Sequence, residues 1–271
     1  MTVVDRDEVV AALDEEWEAL ANLAGALEPD EWTLPTDCPG WDVKAHYSHI
    51  LGLEAMLLGR PAPDLTLPPA RHVRNDLGRI NELWVVTYRD RPVTDLIADL
   101  GEVIITRRVA LARMHQEEFD AEAMTPAGPD TYGRFMRLRV MDQWFHEQDV
   151  RVATGRRGHL DGWAPQCALA EVRMALGYAV GKRAKAPQGS SVRFELTGPI
   201  QGRIDVDVPD RAVVVDRLVG RPTVTIEIPG DAFLRIAAGR VGPGDGPKLA
   251  TRIDGDRALG DQLLDGLAYM I

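Results

Sequence analysis

With only two cysteines, Cys38 and Cys167, among 271 residues, the chain has no disulfide framework to hold it together. It also lacks a membrane span, because no uncharged apolar run approaches the ~18 residues that a span needs. The opening stretch MTVVDRDEVVAALDEE has neither the basic start nor the apolar core of a secretory signal. These absences lead us to expect a reduced, cytoplasmic protein with no membrane partner. Positive charge is in short supply too: 31 Lys and Arg face 42 Asp and Glu, a net charge of −11. Phosphate binding needs a basic footprint, so nucleic acid is not an expected partner. Apolar residues, at 45%, are plentiful enough for a packed core, and disorder is not the default. The length suits one large domain or two ordinary ones.

Helical periodicity dominates the first 155 residues. Val9, Val10, Leu13, Trp17, Leu20 and Leu23 recur at helical spacing with acids between them. After a proline-punctuated loop, EWTLPTDCPGW, a second helix is predicted from about Asp42 to Leu58. A third is predicted over 71–89, a fourth from Pro92 to about Phe119, and a fifth from Tyr132 to Ala153, with Gly155 as its C-terminal cap. TPAGPDTYG reads as a loop between the last two. A further helix is predicted over 165–181. Beyond about residue 187 the pattern changes. VRFELTG, GRIDVDVP, AVVVD and TVTIEI alternate or are β-branched, as strands are. Two helices are interleaved, DAFLRIAAGR (with Asp231 as its cap) and the final DRALGDQLLDGLAYM. The expected architecture is a helical bundle over 1–158 followed by a small α+β domain over 165–271.

The fifth helix carries the feature that matters most. At about 100° per residue from Phe135, Leu138, Phe145 and Val152 fall at roughly 260–300°, with Val150 near 60°. Asp142, His146 and Asp149 land inside that core-facing arc, at roughly 340°, 20° and 320°, whereas Arg137, Trp144 and Gln148 point elsewhere. Burying two carboxylates and an imidazole without partners is costly, and a divalent metal would compensate. Asp142 and His146, at i and i+4, share one face within reach of one ion. On the second helix His46 and His49 lie at i and i+3. Two histidines and one carboxylate make a typical open metal site. The same spacing also suits a plain surface pair of Asp142 with His146, and an ion pair of Asp149 with Arg134 or Arg151.

PTDCPGWDVKAHYSHILGLE, followed about ninety residues later by RVMDQWFHEQDVRVATG, resembles the mycothiol-dependent maleylpyruvate isomerase family. VRNDLGRINELWV, residues 73–85, also looks like the third helix of actinobacterial members. The resemblance implies a DinB-like metal-binding four-helix bundle followed by a sterol-carrier-like α+β domain. Counting eight residues from Trp41 gives His49, so it implies a metal, zinc foremost, held by His49, Asp142 and His146. His46 is then a packing or supporting residue, Trp41 a wall, and Asp149 a group that orients His146. The best-known members carry Glu where Asp142 stands, one methylene longer.

A divalent ion with open positions lowers the pKa of a bound thiol. The resemblance therefore implies an enzyme that activates mycothiol, a low-molecular-weight thiol cosubstrate, for S-transfer to, or isomerisation of, a small electrophile. Cys38, at the entry of the metal helix, reads as part of the loop rather than as a nucleophile. Arg203, Arg221, Arg235 and Arg240 are candidates for gripping a substrate carboxylate. GPGDGP, residues 242–247, lacks the strand–helix context of a phosphate loop and reads as a turn. The competing class is a binding protein with a structural or vestigial metal site and an apolar ligand in the second domain. Thiol-dependent turnover separates the two.

Overall fold

The computed structural model describes residues 1–242 and 244–270. The chain divides into two compact units, Met1–His159 and Leu160–Ile271.

The first unit is built on four long helices: α1 (Arg6–Gly25), α2 (Val43–Leu57), α4 (Val93–Arg113) and α6 (Tyr132–Ala153), with α3 (Asp76–Arg89) between the second and the fourth. Their starts are set by short polar caps. The side chain of Asp5 accepts from Glu8 N, Asp42 from Ala45 N, Asn75 from Gly78 N and Thr131 from Arg134 N. The Asn75 cap explains why α3 starts five residues later than its periodicity predicts. α6 stops where Gly155 takes φ 68°, the left-handed conformation of a helix terminus. α2 and α3 approach closely because position 52 is glycine: a Cβ there would lie 2.2 Å from the Trp84 ring.

Two readings of this unit need correction. The fourth helix does not run to Phe119. It stops at Arg113, and a separate turn α5 (Gln116–Phe119) follows, its backbone held by a reciprocal bond between His115 and Glu118. TPAGPDTYG is not a plain loop either. It completes a hairpin of β1 (Glu122–Thr125) and β2 (Gly128–Thr131), in which Thr125 Oγ1 donates to Gly128 O at 2.7 Å and Gly128 takes φ 101°.

The second unit opens with α7 (Trp163–Tyr178), prolonged by a wider turn over Ala179–Arg183. A five-stranded sheet follows, with β3 (Ser191–Thr197), β4 (Gly202–Asp207), β5 (Val213–Val215), β6 (Val224–Pro229) and β7 (Arg252–Gly255) in the order β5-β4-β3-β6-β7. Only β3 and β6 pair in parallel, Phe194 opposite Ile226. Val192, Phe194, Leu196, Val224, Ile226 and Ile228 alternate onto the buried face. β7 escapes a periodicity reading because RIDG is too short and polar to alternate. α8 (Gly230–Ala237) and α10 (Arg257–Gly266) complete the unit. Asp231 does not cap α8, which starts directly after Pro229, so Asp231 lies inside the first turn. The 242–247 segment is not wholly a turn, since α9 (Gly246–Leu249) begins within it; its Pro243 lies outside the described residues. Among the described residues no helix is long and apolar enough to cross a membrane.

Candidate metal centre

α2 and α6 pack together, and their facing polar residues form one cluster. His49 Nε2 lies 3.2 Å from Asp142 Oδ2, and His146 Nε2 lies 3.6 Å from Asp142 Oδ1. One donor atom from each of the three residues lies within 4.8 Å of the others. The His49 and His146 rings meet edge to face, their centroids 4.6 Å apart. The His49 side chain is 1% exposed and that of His146 9%, while the Asp142 side chain is 32% exposed, so the cluster opens to solvent on the Asp142 side.

The protonation states suit ligation. Burial pushes the His49 imidazole down to about 4, against the opposing pull of Asp142, so near neutrality it is uncharged and keeps a lone pair. Burial would raise Asp142, but the Arg139 guanidinium and then His49 and His146 hold its carboxyl well below the usual range. Two imidazoles and one carboxylate fit a divalent cation. His49 Nδ1 is buried without a hydrogen-bond partner.

A second layer holds these side chains in place. His46 Nδ1 lies 2.9 Å from His146 Nδ1, and His46 Nε2 lies 2.8 Å from Thr36 Oγ1. Thr36 Oγ1 in turn donates to Trp41 O at 3.1 Å. Asp149 Oδ2 lies 3.6 Å from His146 Nδ1 and 4.0 Å from His46 Nδ1. Arg134 bonds Asp130, and Arg151 bonds Glu147. The Trp41 ring walls the cluster, 5.1–5.5 Å from the His46, His49 and His146 rings, its indole N–H donating to Glu82 at 3.1 Å. Cys38 is half-buried and packs against Trp41, Ala45 and Val85.

The helical projection of α6 needs correction. Trp144 and Gln148, outside the projected core arc, are both buried, while Val152, inside it, is 43% exposed. The chain after α6 folds back over it, and Trp144 Nε1 donates to the His159 carbonyl at 2.9 Å. A sequence reading also overlooks Arg139, whose Nη1 donates to Asp142 Oδ2 at 2.5 Å and whose Nε donates to Glu54 Oε1 at 3.0 Å. Glu54 takes further bonds from Arg107 Nε at 2.8 Å and Gln143 Nε2 at 3.0 Å. Arg139, three residues before Asp142, was visible as a helical neighbour; Glu54 and Arg107 carried no signal.

In the second unit Arg203 stands half-exposed on β4, 3.9 Å from Asp205, and Arg221 is exposed before β6. Arg235 lies on α8, and Arg240, beyond it, donates to Ala238 O at 3.0 Å.

The family model of the mycothiol maleylpyruvate isomerase N-terminal domain matches residues 13–151, and that of the corresponding C-terminal domain matches 166–262. The chain belongs to the mycothiol maleylpyruvate isomerase family. The fold is that of the mycothiol-dependent maleylpyruvate isomerase crystal structure, at TM-score 0.56 and 15% identity, over 89% of this chain and 92% of that one. The structure of a histidine-to-alanine mutant of that enzyme matches at TM-score 0.57, with the same identity and coverage. No curated protein sequence matches the chain. Within this family frame the matched N-terminal region holds all three candidate ligands.

Proposed function

We propose that this family member is a metal-dependent enzyme that activates a low-molecular-weight thiol, mycothiol, for S-transfer to a small electrophile or for its thiol-assisted isomerisation. The observation that supports this most is the meeting of His49 with Asp142 and His146, ninety-three and ninety-seven residues away, at a cluster open on one side. His49, Asp142 and His146 would hold the ion, with zinc as the first candidate. When bound, it supplies a Lewis acid that favours the ionised form of a thiol near neutral pH.

The side chains around the ligands set their orientation. For His146 Nε2 to offer a lone pair, the ring proton must sit on Nδ1, which then donates to His46 Nδ1. His46 is left to donate from Nε2 to Thr36 Oγ1, which passes its own proton to Trp41 O. The chain of donors has one consistent direction and fixes a single tautomer for both rings. Asp149 stabilises the resulting N–H dipole at His146. Arg139 holds the short Asp142 side chain in place and keeps it ionised.

That same bond favours a second reading. Asp142 Oδ2 is already engaged by Arg139, as suits a non-catalytic binding protein with a vestigial metal site and an apolar ligand in the α+β unit. Turnover of maleylpyruvate and related electrophiles with mycothiol decides between them. The Cys38→Ala, Cys167→Ala double variant should keep near-normal activity, and a chelator should abolish it. Loss of turnover on removing Cys38, with metal retained, would assign the nucleophile to the protein. His49→Ala or His146→Ala should lose most bound metal by elemental analysis, and Asp142→Glu should retain it.

A further inference from the structure

A second polar cluster is buried between α1 and α6, on a different face of α6 from the first. Successive helical residues project about 100° apart, so His146 turns towards α2 and Glu147 towards α1. Glu147 Oε2 lies 2.6 Å from His159 Nδ1, and Glu16 Oε2, from α1, lies 3.7 Å from the same nitrogen. One donor atom from each of Glu16, Glu147 and His159 lies within 4.8 Å of the others. Glu16 is completely buried, and neither of its carboxylate oxygens has a hydrogen-bond partner. The nearby arginine makes no hydrogen bond to it: Arg151 donates to the other oxygen of Glu147, Oε1, at 2.7 Å and acts on Glu16 only through its charge.

His159 is held as a metal-binding histidine is held. Its Nε2 lies 3.1 Å from Glu15 Oε1, as in carboxylate–imidazole–metal arrangements, and an ion bound at Nδ1 would replace the proton that this nitrogen shares with Glu147 Oε2. Its backbone takes φ 53°, left-handed for a residue with a Cβ, and its carbonyl is pinned by the Trp144 indole. Burial, then Glu147 alongside, raises the Glu16 carboxyl well above the ordinary range, a shift that a bound cation would oppose. The Glu15 side chain, 30% exposed, and that of His159, 12% exposed, give a path to solvent.

We propose that Glu16, Glu147 and His159 form a second divalent-cation site, independent of His49, Asp142 and His146. Two carboxylates and one imidazole suit zinc, manganese or ferrous iron. The test uses the full chain, stripped with chelator, with Zn²⁺ and Mn²⁺ each added alone. Wild type should bind two ions per chain, and Glu16→Gln one. A His49→Ala, His146→Ala variant should still bind one ion, and adding Glu16→Gln or His159→Gln should weaken that binding at least tenfold. Circular dichroism shows whether each variant is folded. Equal stoichiometry in wild type and folded Glu16→Gln would overturn the proposal, whatever the first site binds. So would a folded double-histidine variant that takes up neither metal. A Glu16→Gln gain in Tm that added metal leaves unchanged in both proteins would assign a proton, not an ion, to Glu16, and would also overturn it.

Discussion

At the scale of single residues, the centre depends on groups that never reach its open side. His46 is completely buried and bonds His146 on one edge and Thr36 on the other. Loss of such a partner would leave the His146 ring free to rotate and to take the other tautomer. His46→Phe should therefore lower metal affinity by about 10–100-fold while the ligands themselves remain, and calorimetric titration checks it. The i,i+4 placement of Asp142 and His146 was legible in the sequence because both stand on one helix, where spacing alone sets proximity. His46 and His49 both stood out at i and i+3, and only the resemblance chose His49, since nothing in helical periodicity says which face of α2 meets α6. Arg139 shows the opposite failure. It stands one turn from Asp142, yet its role depends on Glu54, eighty-five residues away.

At the scale of elements, one carboxylate ties three helices. Glu54 of α2 accepts from Arg107 of α4 and from Arg139 and Gln143 of α6, all buried. Removing a single partner from such a group strands the remaining charges. Glu54→Ala should cost about 3–5 kcal/mol in urea unfolding. The start of α6 carries a different device. Asp130 accepts from Thr2 N and Thr2 Oγ1, from Arg134 Nη1 and from Thr131 N. The Thr2 N–H first, then Arg134, holds its carboxyl well below the ordinary range. A depressed folded pKa stabilises above the unfolded value of about 4, and the contribution is lost as pH falls through the folded value. Asp130→Asn should therefore be less stable than wild type near neutral pH, and the gap should narrow in strong acid; urea midpoints measured across that range decide it. The hairpin that carries Asp130 was read as loop because TPAGPDT lacks alternation. Its pairing is set by the turn and by Thr125, not by side-chain burial pattern.

At the scale of the whole molecule, the first unit ends at His159, whose ring and carbonyl both contact α6 residues. A fragment of residues 1–160 should unfold cooperatively by circular dichroism and bind metal. One ending at Arg157 should be less stable by about 1–3 kcal/mol, because the Trp144 indole and Glu147 lose partners while buried. Composition and periodicity determined by themselves that a helical bundle precedes an α+β unit, because each helix or strand must bury one face at its own period. They also determined that α6 carries polar residues towards a core. Tertiary structure alone decided which residues those polar groups meet. The Trp144 indole is buried because the chain returns over it, and Glu16 faces His159 only because α1 packs on α6. Contacts between residues a hundred or more positions apart follow from how helices dock, and the spacing along one helix carries no record of its partner.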